Sequence, residues 1–297
     1  MPTEHISPRY VDLDSWSSAE MIEAMYEGQL VAAAAVRSAL KAIAAAVDDA
    51  VPALQRGGRL IYAGAGTSGR IGVQDGSELL PTYGWPADRL VFVMAGGLGA
   101  LVQSVEGAED DEAAGIRAVA DARIAADDVV IGIAASGTTP FTMGVLRAAG
   151  AAGAVTIALA NNPEAPLLSV ARHGIMVETG TEVIAGSTRM KAGTAQKIVL
   201  NLLSTSIMVK LGRVYRGMMV HMRASNVKLR RRAARMVSRI VGCSEADAVQ
   251  LVKRSAGDVK IAVLLGFGVG EAEAAEVLQR LGGNLRLAIK ESARSHD

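Results

Sequence analysis

The amino-acid sequence predicts an α/β fold with a mainly parallel β-sheet, followed by a small all-helical region. Short apolar runs that end in small or polar residues, such as Arg59–Ala63, alternate with helix-compatible stretches. Half of the 297 residues are hydrophobic and 21% are charged, so the chain can bury a large core. After about residue 236 the strand-like runs stop. Together these observations favour layers of helices on a parallel sheet.

The order of the predicted elements supports this fold. Ser17-Ser18-Ala19-Glu20 has the spacing of a capping box, and apolar positions continue to Val47, which predicts a first helix. Met190–Leu211 is largely apolar, which predicts a long helix packed in a core or in a subunit interface. Between these helices, apolar runs predict five strands: Arg59–Ala63, Leu90–Met94, Asp128–Ile133, Ala154–Ala158 and Gly174–Val177.

The end of the chain carries an internal repeat with an offset of 26 positions (271 − 245). Glu245–Ala248 corresponds to Glu271–Ala274, and Gly257-Asp258 corresponds to Gly283-Asn284. Each copy predicts a helix, a glycine stop, an acidic or amide cap and a second helix. Two copies are too few for a solenoid, so a compact helical domain is expected. The predicted domains are 1–50 (a leader and helix), 51–235 (the sheet domain) and 236–297 (the helical domain).

Charge and composition exclude several classes of function. Lys and Arg number 31 and Asp and Glu 30, so no net field would hold the chain on nucleic acid or on an anionic membrane. Aromatic residues make up only 3%, which argues against base-stacking surfaces. The single cysteine, Cys243, cannot form an internal disulfide. No metal site is expected, because no metal-ligand spacing occurs around Cys243 or among the histidines, His5, His173, His221 and His296.

Targeting and membrane signals are not expected either. The first residues lack a basic region followed by an apolar run, so no secretory signal is predicted. The longest charge-free run, Val129–Leu146, reaches 18 residues, but Ser136–Pro140 breaks it into a strand, a turn and the start of a helix. A cytoplasmic protein without nucleic-acid or membrane partners is therefore expected.

A glycine-rich loop, Gly64–Gly69, directly follows the first predicted strand. Its pattern matches the dinucleotide fingerprint, but that interpretation needs an acidic residue at the end of the next strand, where Met94–Gly97 has none. A strand-to-helix turn of small residues also offers backbone N–H groups to an anion, and Thr67 and Ser68 add two hydroxyl donors. Phosphosugar binding is favoured over a dinucleotide site and over a purely structural turn.

A second hydroxyl-rich loop, Ser136–Pro140, follows the third predicted strand. Ser136, Thr138 and Thr139 supply three hydroxyl groups ahead of a helix, and proline is favourable at the first helical position. Because open α/β sheets bind ligands at the carboxyl ends of their strands, the two loops together predict one shared anion site.

A third segment, 182–194, joins the sheet region to the long helix and mixes hydroxyl groups, glycines and cations. Arg189 and Lys191 stand near the amino end of that helix, which is unfavourable unless an anion or a carboxylate lies nearby. A pair of solvated charges is the alternative interpretation. The residues predicted to bind the phosphosugar are Gly66, Thr67, Ser68, Ser136, Gly137, Thr138, Thr139, Glu182, Ser187 and Lys191.

These motifs resemble the sugar isomerase (SIS) domain family. The most specific are Gly66–Arg70 (GTSGR), Ser77-Glu78, Val105–Asp110 (VEGAED) and Ala185–Lys197 (AGSTRMKAGTAQK). Within that family they are similar to the etherases that act on N-acetylmuramic acid 6-phosphate, over nearly the whole chain. The resemblance implies a three-layer, flavodoxin-like α/β domain with an N-terminal helix. It also implies a small all-helical C-terminal domain similar to ubiquitin-associated domains.

The same resemblance implies a carbon–oxygen lyase, a cytoplasmic homodimer that cleaves a lactyl ether in cell-wall recycling without a metal or organic cofactor. The two catalytic glutamates of the family map onto Glu78 and Glu109. When the sugar ring opens, the aldehyde acidifies the proton on carbon 2, and lactate can leave from carbon 3 with help from an acid. Glu109 is assigned as the base and Glu78 as the acid. A solvated side chain is the alternative for Glu78, and an acidic helix start for Glu109.

The sequence departs from the family pattern at several positions that bear on substrate specificity. Thr138 stands where arginine is usual, Gly28-Gln29 replaces part of an acidic segment, and His221 stands where aspartate is common. Two other functions remain open. A non-catalytic sugar-phosphate sensor would not require both glutamates, and an aldose–ketose isomerase would form a ketose without releasing lactate. The basic stripe of Lys228, Arg232, Arg235 and Arg239 is expected to be solvated or to face another subunit.

Overall fold

The computed structural model describes residues 1–103, 105–222 and 226–294, and the chain divides into two compact units. The first unit comprises Met1–Ser77 and Ala87–Ser204, and the second comprises Glu78–Pro86 and Thr205–Asp297. The predicted domain limit at residue 236 lies inside a helix of the second unit, Val227–Val241. The compact units therefore divide earlier in the chain, and the division into three domains stays a prediction.

The first unit is built on a five-stranded sheet whose strand pairs are all parallel. The strands are β1 (Leu60–Gly64), β2 (Leu90–Met94), β3 (Val129–Ile133), β4 (Val155–Ala160) and β5 (His173–Met176). They lie in the order β2-β1-β3-β4-β5, and their ends differ from the predicted ones by at most two residues. Gly64 pairs with both Met94 and Ile133, so β1, β2 and β3 end together. The turns that follow these strands therefore meet at one edge of the sheet.

Outside the sheet, the described residues of both units form α-helices that are joined by turns and short 3-10 helices. They are α1 (Ser18–Ala35), α2 (Leu40–Gln55), α3 (Gly66–Ser77), α4 (Leu79–Tyr83), α5 (Glu112–Asp121), α6 (Pro140–Ala151), α7 (Pro166–Val170), α8 (Lys191–Lys210), α9 (Val227–Val241), α10 (Glu245–Arg254), α11 (Val259–Gly266), α12 (Glu271–Arg280) and α13 (Leu285–Arg294). The predicted capping box is confirmed, since Ser17 and Glu20 form both of its hydrogen bonds. The predicted first helix is divided, because a 3-10 turn, Val36–Ala39, separates α1 from α2.

The sheet is covered by helices on both faces. Ile61 and Val130 share one buried cluster with Phe141 and Leu146 of α6, and residues of α5 and α7 belong to it. Tyr62, which points to the opposite face of β1, lies beside α3. β1, β3 and β4 are buried along their whole length, which explains their continuous apolar sequences. The predicted three-layer α/β architecture is confirmed.

One helical stretch of the described chain, Ser18–Gln55, is long and apolar enough by length and composition to cross a membrane. It consists of α1, the 3-10 turn and α2. In α2, Ile43, Val47 and Leu54 are buried, and the helix packs against β3, β4 and β5. The apolar character of α2 is therefore explained by the core of the first unit.

The second unit contains α9 to α13 around a buried cluster that includes Val237, Val252, Val263 and Leu278. α10 and α12 begin 26 residues apart (271 − 245), and so do α11 and α13 (285 − 259). Asp258 caps α11 by accepting hydrogen bonds from two backbone amides, as the repeat predicts. The predicted helical repeat is confirmed.

Candidate active site

The first hydroxyl loop becomes the first turn of α3 immediately after β1. Gly64 and Gly69 come so close that a Cβ atom on Gly69 would lie 2.9 Å from the carbonyl oxygen of Gly64. This approach sets the amino end of α3 directly over the end of the strand. Thr67 is half-buried and Ser68 is 8% exposed, so both hydroxyl groups lie close to amides that have no partner within the helix. Amides at a helix start that lack an intrahelical partner can bind an anion.

The second hydroxyl loop is a tight turn between β3 and α6. The hydroxyl oxygen of Ser136 accepts a hydrogen bond from the amide of Thr138 (3.2 Å), and Gly137 has φ +71°. Thr139 occupies the N-cap position of α6 without capping it, and Pro140 follows in the first turn, as predicted. The amides of Gly137, Thr138 and Phe141 are bonded within the protein. The donors that this loop can offer a ligand are therefore its side-chain hydroxyl groups.

Glu109 lies beside both loops. It lines a cavity of about 240 Å³ together with Gly66 of the first loop and Arg70 of α3. Its backbone carbonyl accepts a hydrogen bond from the amide of Phe141 (3.0 Å), in the first turn of α6. The carboxylate is exposed. Glu109 thus shares a cavity with the first loop and is bonded through its backbone to the helix that follows the second loop.

Glu78 lies in the second unit, directly before α4, and its side chain is exposed. It occupies the N-cap position of α4 but makes no side-chain hydrogen bond to that helix. Glu109 belongs to the first unit. The pairing of the two glutamates in one site stays a prediction.

Glu182 and Lys191, both predicted to bind the phosphosugar, are buried at 1% and 8% exposure. The two carboxylate oxygens of Glu182 accept hydrogen bonds from the backbone amides of Lys191 (3.0 Å) and Ala192 (2.9 Å). The Lys191 ammonium donates to the carbonyl oxygen of Thr179 (2.9 Å). Burial lowers the pKa of Lys191, and the neighbouring Glu182 charge offsets this in part. A carboxylate thus supplies the negative charge that the start of α8 requires.

Ser187 and the start of α8 lie close to the first loop. Ser187 is half-buried, and its backbone bonds to Ile184 and Met190 within the turn before α8. A Cβ atom on Gly193 would lie 3.7 Å from Cγ2 of Thr67. The third predicted segment and the first loop are therefore neighbours in the structure.

A buried polar network at the carboxyl end of β4 was not singled out by the sequence. Asn161 donates to the carbonyl oxygen of Val177 (3.1 Å) and accepts from the side chain of Gln196 (2.9 Å). Asn162 donates to the carbonyl oxygen of Ala135, the residue before Ser136 (2.9 Å). The sequence signal for this network is the pair of adjacent asparagines, Asn161 and Asn162, that follows the fourth strand.

A second buried group lies behind the first loop. Asp75 of α3 is 2% exposed and accepts hydrogen bonds from Tyr62 (2.9 Å) and Asn201 (2.7 Å), while the Lys197 ammonium lies 3.8 Å away. Burial, followed by the Asp75 charge, raises the pKa of Tyr62 well above its usual value. These contacts join β1, α3 and α8, so the two elements that flank the first loop, β1 and α3, are held together by buried hydrogen bonds.

The departures from the family pattern have structural counterparts. A Cβ atom on Gly28 would lie 3.3 Å from the Lys191 side chain, so glycine leaves room for that lysine. Gln29 accepts a hydrogen bond from the Thr194 hydroxyl. Thr138 is exposed at the second loop. His221, in the second unit, lies against Gly84.

No group of three or more His, Cys, Asp or Glu side chains that could hold a metal occurs among the described residues. His296 lies outside them, as do positions 104, 223–225, 295 and 297. The four cations of the predicted basic stripe are exposed along α9: Lys228, Arg232, Arg235 and Arg239.

Comparison with protein families identifies the sheet unit. The chain matches the SIS domain over residues 108–206, and the glucokinase regulatory protein N-terminal SIS domain over residues 42–150. A phosphoheptose isomerase from Francisella tularensis has a similar fold, with a TM-score of 0.50 and 20% identity over 65% of this chain and 100% of the isomerase. This likeness concerns the fold alone.

Relatives with higher identity cover nearly the whole chain. An N-acetylmuramic acid 6-phosphate etherase from Deinococcus radiodurans is 52% identical over 90% of this chain and 88% of its own length. A protein of the same name from Yersinia pestis is 47% identical, with 89% of each chain covered. At this identity and coverage, the chain belongs to the N-acetylmuramic acid 6-phosphate etherase family of SIS-domain proteins.

Proposed function

We propose that the chain is a carbon–oxygen lyase that cleaves the lactyl ether of N-acetylmuramic acid 6-phosphate in cell-wall recycling. The products are D-lactate and N-acetylglucosamine 6-phosphate, formed by elimination and then hydration. Besides family membership, one observation carries the proposal. Glu109 lines a cavity with Gly66 of the first hydroxyl loop, and its backbone is bonded to the helix that follows the second loop.

The phosphate is bound by the start of α3 and by the hydroxyl groups of the second loop. The amides of the first turn of α3, with the hydroxyl groups of Thr67 and Ser68, face an anion at the end of β1. The hydroxyl groups of Ser136, Thr138 and Thr139 supply the second set of donors, Gly137 shapes the turn that carries them, and Ser187 adds a further hydroxyl group. Glu182 and Lys191 act by holding the start of α8 in place, since the Glu182 carboxylate is bonded to two amides there and the Lys191 ammonium to Thr179.

Two carboxyl groups then divide the proton transfers. In the open-chain sugar, the Glu109 carboxylate removes the proton from carbon 2, and the electron pair forms the double bond between carbons 2 and 3. The bond from carbon 3 to oxygen breaks, and Glu78 gives its proton to the departing lactate oxygen. Water next adds its hydroxyl group to carbon 3 while its proton goes to the Glu78 carboxylate. Glu109 returns a proton to carbon 2. Glu109 is then again a carboxylate and Glu78 again a carboxylic acid, as at the start of the reaction.

We propose further that the enzyme is a cytoplasmic homodimer. α1 exposes Ile22, Tyr26 and Leu30, which follow each other at intervals of four residues and therefore share one helix face. A second copy of the chain would remove this apolar face from water. Size-exclusion chromatography with light scattering should give twice the mass of the chain, and a monomer at micromolar concentration would contradict the dimer.

Incubation of the purified protein with N-acetylmuramic acid 6-phosphate tests the reaction. D-Lactate and N-acetylglucosamine 6-phosphate should appear in equal amounts, with and without a metal chelator. A ketose phosphate without lactate would indicate an isomerase instead. Binding without any product would indicate a sensor, and either result would overturn the proposal.

A further inference from the structure

Thr3 is completely buried and pairs with a residue 159 positions later in the chain. Its backbone amide donates to Oδ1 of Asn162 (3.3 Å), and Nδ2 of Asn162 donates to the Thr3 hydroxyl oxygen (3.0 Å). Asn162 is itself 1% exposed. A buried amide side chain needs such partners, because an unpaired polar group in the core is costly. The segment Met1–His5, here called the Thr3 segment, is therefore built into the first unit.

The same two residues are bonded to the segments that carry the predicted phosphosugar ligands. Nδ2 of Asn162 also donates to the carbonyl oxygen of Ala135, which directly precedes Ser136 (2.9 Å). On the other side, the carbonyl oxygen of Thr3 accepts a hydrogen bond from the amide of Gly186, which directly precedes Ser187 (2.9 Å). Thr3 and Asn162 thus connect the second hydroxyl loop to the third segment.

Glu4 strengthens this connection. Its carboxylate lies against Gly186, where a Cβ atom would be 2.9 Å from Oε2 of Glu4. Gly186 has φ +75°, a conformation that glycine adopts without strain, so the turn before Ser187 can bring the Gly186 amide to the carbonyl oxygen of Thr3. The Thr3 segment therefore meets this turn through a backbone hydrogen bond and through the exposed Glu4 side chain.

We propose that Thr3 and Asn162 are positioning residues for the phosphosugar site, and that the Thr3 segment holds the loops of Ser136 and Ser187 in their binding arrangement. The proposal rests on the proposed function, since it assumes that these loops bind the phosphosugar. Thr3 acts through Asn162 and Gly186 and does not touch the substrate. Loss of the Thr3 hydroxyl group removes one hydrogen-bond acceptor of the Asn162 side chain, and both loops become more mobile. Substrate binding is then weakened more than the chemical step is slowed.

The kinetic test compares Thr3→Val, which keeps the shape and loses the hydroxyl group, with Thr3→Ser, which keeps the hydroxyl group. Thr3→Val should raise KM for N-acetylmuramic acid 6-phosphate about tenfold and leave kcat within about twofold, and Thr3→Ser should keep the wild-type KM. Ser15→Ala removes an exposed hydroxyl group that donates to the carbonyl oxygen of Asp12, and should change nothing. A folded Thr3→Val protein with wild-type KM would overturn the proposal, even if its melting temperature were lower.

Hydrogen–deuterium exchange of the wild-type chain provides a test that needs no variant. Addition of N-acetylglucosamine 6-phosphate should slow amide exchange in residues 136–139, in residues 186–188 and in the Thr3 segment together. Protection of the two loops without protection of the Thr3 segment would overturn this inference and leave the proposed function intact. A lack of protection anywhere, together with no lactate release, would overturn the proposed function itself.

Discussion

The backbone amide of Phe141 donates a 3.0 Å hydrogen bond to the carbonyl oxygen of Glu109. This bond ties an exposed acidic side chain to the first turn of α6, which directly follows the second hydroxyl loop. The position of Glu109 relative to the phosphate donors is therefore set by the backbone, and its side chain can stay accessible to a ligand. Such a separation between a fixed main chain and a reactive side chain suits a general base.

Replacement of Glu109 by glutamine should reduce kcat for lactate release about 10²- to 10⁴-fold, because the amide cannot accept the proton from carbon 2. Since the side chain is exposed and its backbone bond to Phe141 is retained, the melting temperature should not change. The neighbouring Asp110→Asn substitution removes an equivalent exposed carboxylate and serves as the control. Full turnover in Glu109→Gln would refute its role as base.

Substitution of Gly137 by alanine should weaken phosphosugar binding. Gly137 has φ +71°, and a Cβ atom there would lie 2.2 Å from the Cβ atom of Ala165, so the second loop must shift. The strain should lower the free energy of unfolding by about 1–3 kcal/mol, measured by urea denaturation, and raise the Kd for N-acetylglucosamine 6-phosphate. Gly99→Ala, at an exposed position with open space around it, is the matched control. Equal affinities of the two variants would contradict the role of this loop.

The strands and the helical repeat could be predicted because their signals are local. Each central strand is buried on both faces, so its sequence is one apolar run, as in Val129–Ile133. The repeat is visible because each copy carries its own stop and cap, such as Gly257-Asp258. The break between α1 and α2 has no such signal, since Ala32–Ala35 runs into Val36 without a helix-breaking residue.

The internal contacts of the site could not be predicted in the same way. Thr3 and Asn162 are 159 positions apart, and only the fold shows that they meet. The polar segment 182–194 predicts Glu182 as a ligand-binding residue, and only the fold shows that its carboxylate is bonded to the amides at the start of α8. The sequence shows that a carboxylate lies near a helix start, where it can either stabilise the helix or contact a ligand. The burial of the side chain in the fold distinguishes these two roles.

Replacement of Glu182 by glutamine should destabilise the first unit. The amide group of glutamine can accept only one of the two backbone hydrogen bonds, and the start of α8 loses the negative charge beside Lys191. The free energy of unfolding should fall by about 1–3 kcal/mol in urea denaturation. Glu178→Gln, at an exposed position shortly before it, should have no measurable effect. Equal stability of the two variants would show that the buried carboxylate is not needed.

Lys260 in the second unit should make stability depend on pH in the alkaline range. It is 3% exposed and donates to the carbonyl oxygen of Gly283. Burial, with a smaller contribution from Arg213, lowers its pKa from 10.5 to about 8, although Asp258 acts in the opposite direction. Between these two values the unfolded chain binds more protons than the folded one, so the free energy of unfolding should rise with pH.

The Lys260→Met variant isolates this effect, because methionine has a similar length and no charge. Compared with the wild type, it should be more stable at pH 7, and this advantage should shrink by about 3 kcal/mol as the pH rises through the interval from about 8 to 10.5. Urea denaturation at several pH values measures the difference. Lys253→Met, at an exposed position on α10, should follow the wild-type curve. If Lys260→Met has the same pH dependence as the wild type, the Lys260 ammonium is not destabilised by burial.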